Sequence, residues 1–243
     1  MWVDVVDLRD FYATSLGGVA ARAVRARLRG LWPDARGLRV LGLGYATPFL
    51  SPFAEEAERV LAAMPMGQGV LHWPRGGANR AVLVDELDLP FPDNAFDRIL
   101  LVHAVENAES LRPMLREVWR VLADAGRIVV VVPNRRGIWA RIERTPFAHG
   151  HPYSARQLSR LLRDNLFTPT ATQGALFVPP SRSRMVLGAA AAWENIGTKF
   201  LPRFAGVVIM EATKQIYAVS GTRARVRRRT VYVPAGNVRR SRV

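Results

Sequence analysis

Four histidines, His72, His103, His149 and His151, are the side chains of this chain able to titrate near neutrality, and there is no cysteine. Without cysteine there is no disulfide, thiolate zinc site, iron–sulfur cluster or cysteine nucleophile. Four scattered histidines are too few for a His-rich metal centre. His149-Gly150-His151, two residues apart in a glycine loop, is a poor metal site on its own. His103 closes the apolar run 99–103, where a histidine can take a proton because its pKa lies near neutrality; a packed histidine is the bland alternative. A second place for chemistry is Gly42-Leu43-Gly44-Tyr45-Ala46-Thr47-Pro48, which continues the apolar run 38–43. A strand, a glycine turn and a helix form the place where an α/β sheet holds a nucleotide-like ligand, because helix-start N–H groups face it and small residues let it approach. The acidic segment Asp85-Glu86-Leu87-Asp88 is the third.

The elements that must position these residues alternate between two periods. Runs 38–43, 58–64, 81–85, 97–103 and 126–132 are nearly continuously apolar and read as strands; 109–122 and 154–164 carry leucines at helical spacing. Such alternation implies a mostly parallel sheet with helices on both faces. Residues 4–30 read as helical, with Gly17-Gly18 as the expected interruption, and Thr47 is expected to cap a helix starting at Pro48. Between 64 and 80, two prolines and four glycines predict loop. Strands near 167–177 and 206–217 bracket a helix near 183–199 and are expected to pair antiparallel at a sheet edge. That helix reads either as packing on the sheet edge or as a surface that covers an acceptor or docks a partner or membrane. The organisation is then a helical arm over 1–37, an α/β domain over 38–219 with its insertion near 183–199, and a basic tail over 220–243.

The middle of the chain carries a resemblance. Asp85-Glu86-Leu87-Asp88-Leu89-Pro90-Phe91-Pro92-Asp93-Asn94-Ala95-Phe96-Asp97, followed by Glu117-Val118-Trp119-Arg120-Val121-Leu122 and Val132-Pro133-Asn134, resembles class I S-adenosylmethionine-dependent methyltransferases of the type 11 kind. The resemblance implies a Rossmann-like sheet, S-adenosylmethionine as cofactor and an unidentified methyl acceptor. It further implies that Gly42, Gly44, Tyr45 and Ala46 line the cofactor, that Asp85 reaches its adenine with Glu86 and Leu87 beside it, and that His103 lines the transfer pocket as a base. Tyr12 and Gly17 resemble an arm that folds over the cofactor. The chain departs from the pattern at Gly42, where the family has an acid, and at the end of strand two, where Val60-Leu61-Ala62-Ala63-Met64-Pro65 has none.

Charge divides the 243 residues in two. Residues 1–135 hold 16 basic and 16 acidic side chains, and residues 136–243 hold 19 and 4, so the whole net charge of +15 falls in the second part. That asymmetry suggests a polyanion, either nucleic acid or an anionic membrane; solvated arginine in an arginine-rich composition is the bland alternative. No basic leader precedes the first apolar residues, and the longest apolar run, 185–193, is about half of a membrane span, so a cytoplasmic protein is expected. Two functions follow. One is a methyltransferase acting on a small molecule or RNA. The other is a catalytically degenerate methyltransferase fold that binds RNA or a protein through its basic C-terminal half.

Overall fold

The computed structural model describes residues 2–216. Its centre is a seven-stranded sheet in the order β3-β2-β1-β4-β5-β7-β6. The strands are β1 (Arg39–Gly44), β2 (Arg59–Pro65), β3 (Ala81–Val84), β4 (Phe96–Val102), β5 (Leu122–Pro133), β6 (Phe167–Ala175) and β7 (Val207–Lys214). Strands β1 to β5 pair in parallel, and β7 runs antiparallel to both neighbours. The antiparallel strand is therefore one place inside the sheet, and the edge strand β6 again runs with the others. The whole basic tail over 220–243, with every arginine from 223 onward, lies outside the described residues.

Alternation along each strand builds two cores, because successive side chains point to opposite faces. Val40, Met64, Leu100, Val129 and Ile209 face one side with helices α1 (Val5–Ala13) and α2 (Ser15–Leu31). Leu41, Ala63, Leu101, Val130 and Met210 face the other with α4 (Leu111–Val121) and α5 (Ala155–Asp164). Helix α5 opens on a capping box in which Ser154 and Gln157 satisfy each other's backbone N–H.

Four expectations change. The break between α1 and α2 falls at Thr14, whose hydroxyl accepts from the Gly17 N–H at 3.0 Å. Gly17 is instead a close-approach residue: a Cβ there would lie 2.0 Å from the Phe11 carbonyl oxygen. Ala46 already has helical angles, so α3 (Thr47–Leu50) starts at Thr47, which makes no cap. The helical insertion splits at Ala189 into α6 (Arg184–Gly188) and α7 (Ala190–Phe200), which bury little of their surface. Finally, β5 starts at Leu122, directly after α4, because Leu122 already pairs with Phe96.

Candidate active site

Strands β1 and β4 are neighbours, and their carboxyl ends place Gly44 beside Val102. Gly44 has a φ of +84°, and a Cβ there would lie 2.3 Å from the Val102 carbonyl oxygen, so only glycine fits. The next residue of β4's path, His103, has a φ of +52°. A left-handed non-glycine residue stores strain of a kind that collects at functional sites.

His103 is fully buried, and a polar chamber surrounds it. The Tyr12 hydroxyl lies 2.8 Å from His103 Nε2. Glu106 Oε1 lies 3.3 Å from Nδ1 without completing a hydrogen bond. Gln68 Nε2 and Asn107 Nδ2 both donate to the His103 carbonyl oxygen, at 3.4 and 3.2 Å. The far atoms of these groups are left over. Gln68 Oε1, Asn107 Oδ1, both Glu106 oxygens and His103 Nδ1 are buried without a hydrogen-bond partner among the described residues. Buried polar atoms are normally paired, so these five together make the surroundings of His103 the candidate binding site. Four of the five are oxygens, which accept only, so the missing partner carries donors. The tautomer with a proton on Nδ1 serves both neighbours of His103: Nδ1–H faces the Glu106 carboxylate and Nε2 accepts from Tyr12. Burial, with Glu106 and Tyr45 adding to it, holds the Tyr12 phenol well above its ordinary pKa, so it is neutral and keeps its proton to donate. Burial likewise lifts Tyr153, with Glu106 adding to it. The Phe147 ring covers His103 at 5.0 Å between centroids.

Helix α1 crosses the carboxyl ends of the strands. Trp2 packs on Gly67, the Val5 N–H donates to the Gln68 carbonyl at 2.9 Å, and the Tyr12 ring stacks on Tyr45. A cavity lies on either side of it. One, of about 260 Å³, is lined by Arg9, Tyr45, Met64 and Trp73 at the ends of β1 and β2. The other, of about 580 Å³, is lined by Phe11, Leu16, Ile142, Arg144, Arg182 and Leu187. Phe11 touches Phe147 edge to face, so these two rings stand between the larger cavity and His103.

The structure brings Gly44, Tyr45, Ala46 and His103 to one place. Gly42 is adjacent in the strand, but a Cβ there would come within 2.6 Å of both Ala46 Cβ and Leu50 Cδ1. There is thus no room for an acid, and the glycine serves the packing of α3 on β1. Asp85, Glu86 and Leu87 lie beyond β3, with β2 between them and Gly44. Asp85 is exposed and accepts from the Leu87 N–H at 2.9 Å in a local turn. His149 and His151 are exposed; the His151 N–H donates to the Glu106 carbonyl. No group of three or more metal-ligating side chains occurs among the described residues. The sequence reading missed Gln68, Glu106 and Asn107. The spacing of Glu106 and Asn107, three and four residues past His103, was the available signal; Gln68, in a loop, gave none.

The strand order 3-2-1-4-5-7-6, with only the seventh strand reversed, now meets a match in sequence. Residues 41–130 match the family model described as a methyltransferase domain. Over that stretch the chain is similar to class I methyltransferases. Demethylmenaquinone methyltransferase of Thermus thermophilus is 28% identical to it over 158 residues, 64% of each chain. The match thus spans less than two-thirds of that relative's length. Among solved structures, an S-adenosylmethionine-dependent methyltransferase from Thermotoga maritima aligns with a TM-score of 0.60 at 17% identity, covering 87% of this chain and 96% of the other. The 1,6-didemethyltoxoflavin-N1-methyltransferase of Burkholderia thailandensis, solved with S-adenosylhomocysteine, aligns with a TM-score of 0.55 at 18% identity, covering 86% and 82%. The likeness extends to the fold, and in such sheets ligands bind outside the carboxyl ends of the parallel strands, the end at which His103 lies.

Proposed function

We propose that this chain is an active S-adenosylmethionine-dependent methyltransferase. The observation that carries the reading is the buried chamber of unpartnered acceptors around His103, at the sheet end where such a fold binds its ligand. The residues fit the cofactor's chemistry, since its ammonium and hydroxyl groups are donors and the orphaned oxygens of Gln68, Glu106 and Asn107 accept. These three residues, with the Gly44-Tyr45-Ala46 turn, would hold it. When bound, the cofactor supplies a sulfonium-activated methyl group.

The chain's own residues then position and deprotonate the acceptor. The larger cavity receives the acceptor between Phe11, Leu16 and Leu187. Tyr12 takes the acceptor's proton at its phenol oxygen while passing its own to His103 Nε2. Glu106, facing Nδ1, stabilises the imidazolium so formed. Helix α1 stands between the two cavities, with Arg9 walling one and Phe11 the other. Asp85, exposed on its turn, is retained as an adenine contact only as an outer one.

Calorimetric titration with S-adenosylmethionine and S-adenosylhomocysteine tests this reading. Micromolar binding that weakens about tenfold or more in Glu106→Gln is expected, the loss of one charge-assisted contact. No binding at millimolar ligand would overturn it.

A further inference from the structure

Helices α6 and α7 and the turn after them present large apolar side chains that no described residue covers. Met185, Trp193, Ile196, Phe200, Leu201 and Phe204 are all exposed, Met185 by 85% and Phe200 by 73%. On α7, Trp193, Ile196 and Phe200 follow the spacing i, i+3, i+7 and form one stripe. The flank of the same helix with Ala190, Glu194 and Gly197 is the one that packs. Gly197 lies under the Phe177 ring, and Glu194 accepts from the Phe177 N–H at 2.7 Å. The apolar stripe is thus a second face, separate from the one that docks the helix on the fold. So many large apolar side chains on one surface mark an interaction site.

Charge selects the partner. Between residues 165 and 210 the basic residues are Arg182, Arg184, Lys199 and Arg203, all exposed. Glu194 is the acid of that stretch, and its carboxylate is turned inward to the Phe177 backbone and Arg27. A face with apolar and aromatic side chains at its centre, cations around it and no outward acid has the composition of a segment that lies on an anionic bilayer. A protein partner would need an acid placed against each of the four cations, whereas lipid phosphates supply anions across the whole face at the depth where Trp193 favours the interface. Among the described residues no helix is long and apolar enough to cross a membrane, so the contact is peripheral.

We propose that the α6–α7 face docks this protein on an anionic lipid membrane. The face adjoins the larger cavity, because Arg182 and Leu187 wall that cavity. On the activity proposed above, and resting on it, docking delivers an acceptor dissolved in the bilayer to the cavity mouth. The docking itself needs neither cofactor nor turnover, so it stands or falls separately.

The test is sedimentation of the full chain with phosphatidylcholine vesicles, with and without a third of phosphatidylglycerol. Binding is expected to the anionic vesicles and to fall at least about tenfold on the neutral ones. The triple variant Met185→Ser, Phe200→Ser, Phe204→Ser is expected to bind at least about tenfold more weakly, the effect of removing buried apolar area. Its melting temperature should not move, since the three side chains are exposed. If that variant destabilises the chain, Lys199→Glu with Arg203→Glu reads the same face through charge. Undiminished binding by both variants would overturn the proposal and assign the binding to other arginines. Absence of binding to either vesicle would overturn it too. So would concentration-dependent self-association in solution that the triple variant abolishes, because the occupant would then be a second copy.

Discussion

Two polar clusters of this protein lie at opposite extremes of satisfaction. Around Arg120 every donor direction is used. Its Nε and Nη2 donate to Glu117, its Nη1 to the Phe91 carbonyl and Asp93, and its Nη2 also to the Leu89 carbonyl. Glu117 returns the bond by accepting from the Leu89 N–H at 3.0 Å. The result clamps the 89–93 turn onto α4. Around His103, by contrast, five buried polar atoms have no partner among the described residues. The clamp comes from the segments of the sequence that resemble the family most closely, and it only builds scaffold. The chamber comes from residues with little sequence signal, and it has the properties of a site. Paired polar groups hold the scaffold, and the unpaired ones mark the place where the proposed function would lie.

The contrast breaks most readily at the chamber. His103→Ala is expected to lower the methyl-transfer rate about 10²- to 10⁴-fold, the range of a lost general base, with cofactor affinity changed far less. Steady-state kinetics against calorimetric affinity checks the split. An equal loss in both would make His103 a binding group instead.

The next effect is on stability and belongs to the clamp. Arg120→Ala should destabilise the fold by about 3 kcal/mol, since two turn carbonyls and the carboxylates of Glu117 and Asp93 lose their donors together. For a chain of this size that lowers the melting temperature by roughly 6–12 °C. Cofactor affinity of the folded protein should hold.

Smaller, and opposite in sign, is Glu106→Gln. It replaces a buried carboxyl whose two oxygens complete no hydrogen bond among the described residues, and is expected to raise stability by about 1 kcal/mol while weakening ligand binding. A denaturant titration decides this; a large loss of stability would show that Glu106 is a structural anchor and that the contrast is misdrawn.

The smallest effects are pH limbs. Arg120 holds the Glu117 carboxyl below its ordinary range, and Arg39 does the same for Asp97. A depressed carboxylate contributes stability that is present above the unfolded value of about 4 and is lost as pH falls through the folded value. The Tyr12 phenol is raised, so its contribution is present below the unfolded value of about 10 and is lost as pH rises further toward the folded value. Melting curves across pH should show a shallower acid limb in Glu117→Gln and a shallower alkaline limb in Tyr12→Phe. If either variant alters the other's limb, the two clusters are coupled.

Much of this architecture was legible without coordinates. The apolar runs at 38–43, 58–64, 81–85, 97–103 and 126–132 fall within a few residues of the five parallel strands. The legibility is physical: a strand buried on both faces must be apolar at every position, and such runs have no other soluble use here. The Gly44 turn was legible because a chain that reverses against a neighbouring strand has room only for glycine.

Long-range approach was not written locally. Tyr12 and His103 are 91 positions apart, and Gln68 meets the His103 carbonyl from a loop with no period of its own. Conversely, Asp85 belongs to a strongly patterned segment, yet β2 separates its turn from the glycine turn. Exposure of α7 was undecided for the same reason. Helical spacing tells which residues share a stripe, but whether the stripe is buried depends on what packs against it, and here Phe177 takes the neighbouring flank. The sequence by itself determined the strands, most helices, the glycine turn and the charge asymmetry, since these follow from local sterics and hydrophobic period. Only the tertiary structure decided which polar atoms are buried without partners and which apolar stripe stays uncovered, because both depend on neighbours contributed by distant parts of the chain.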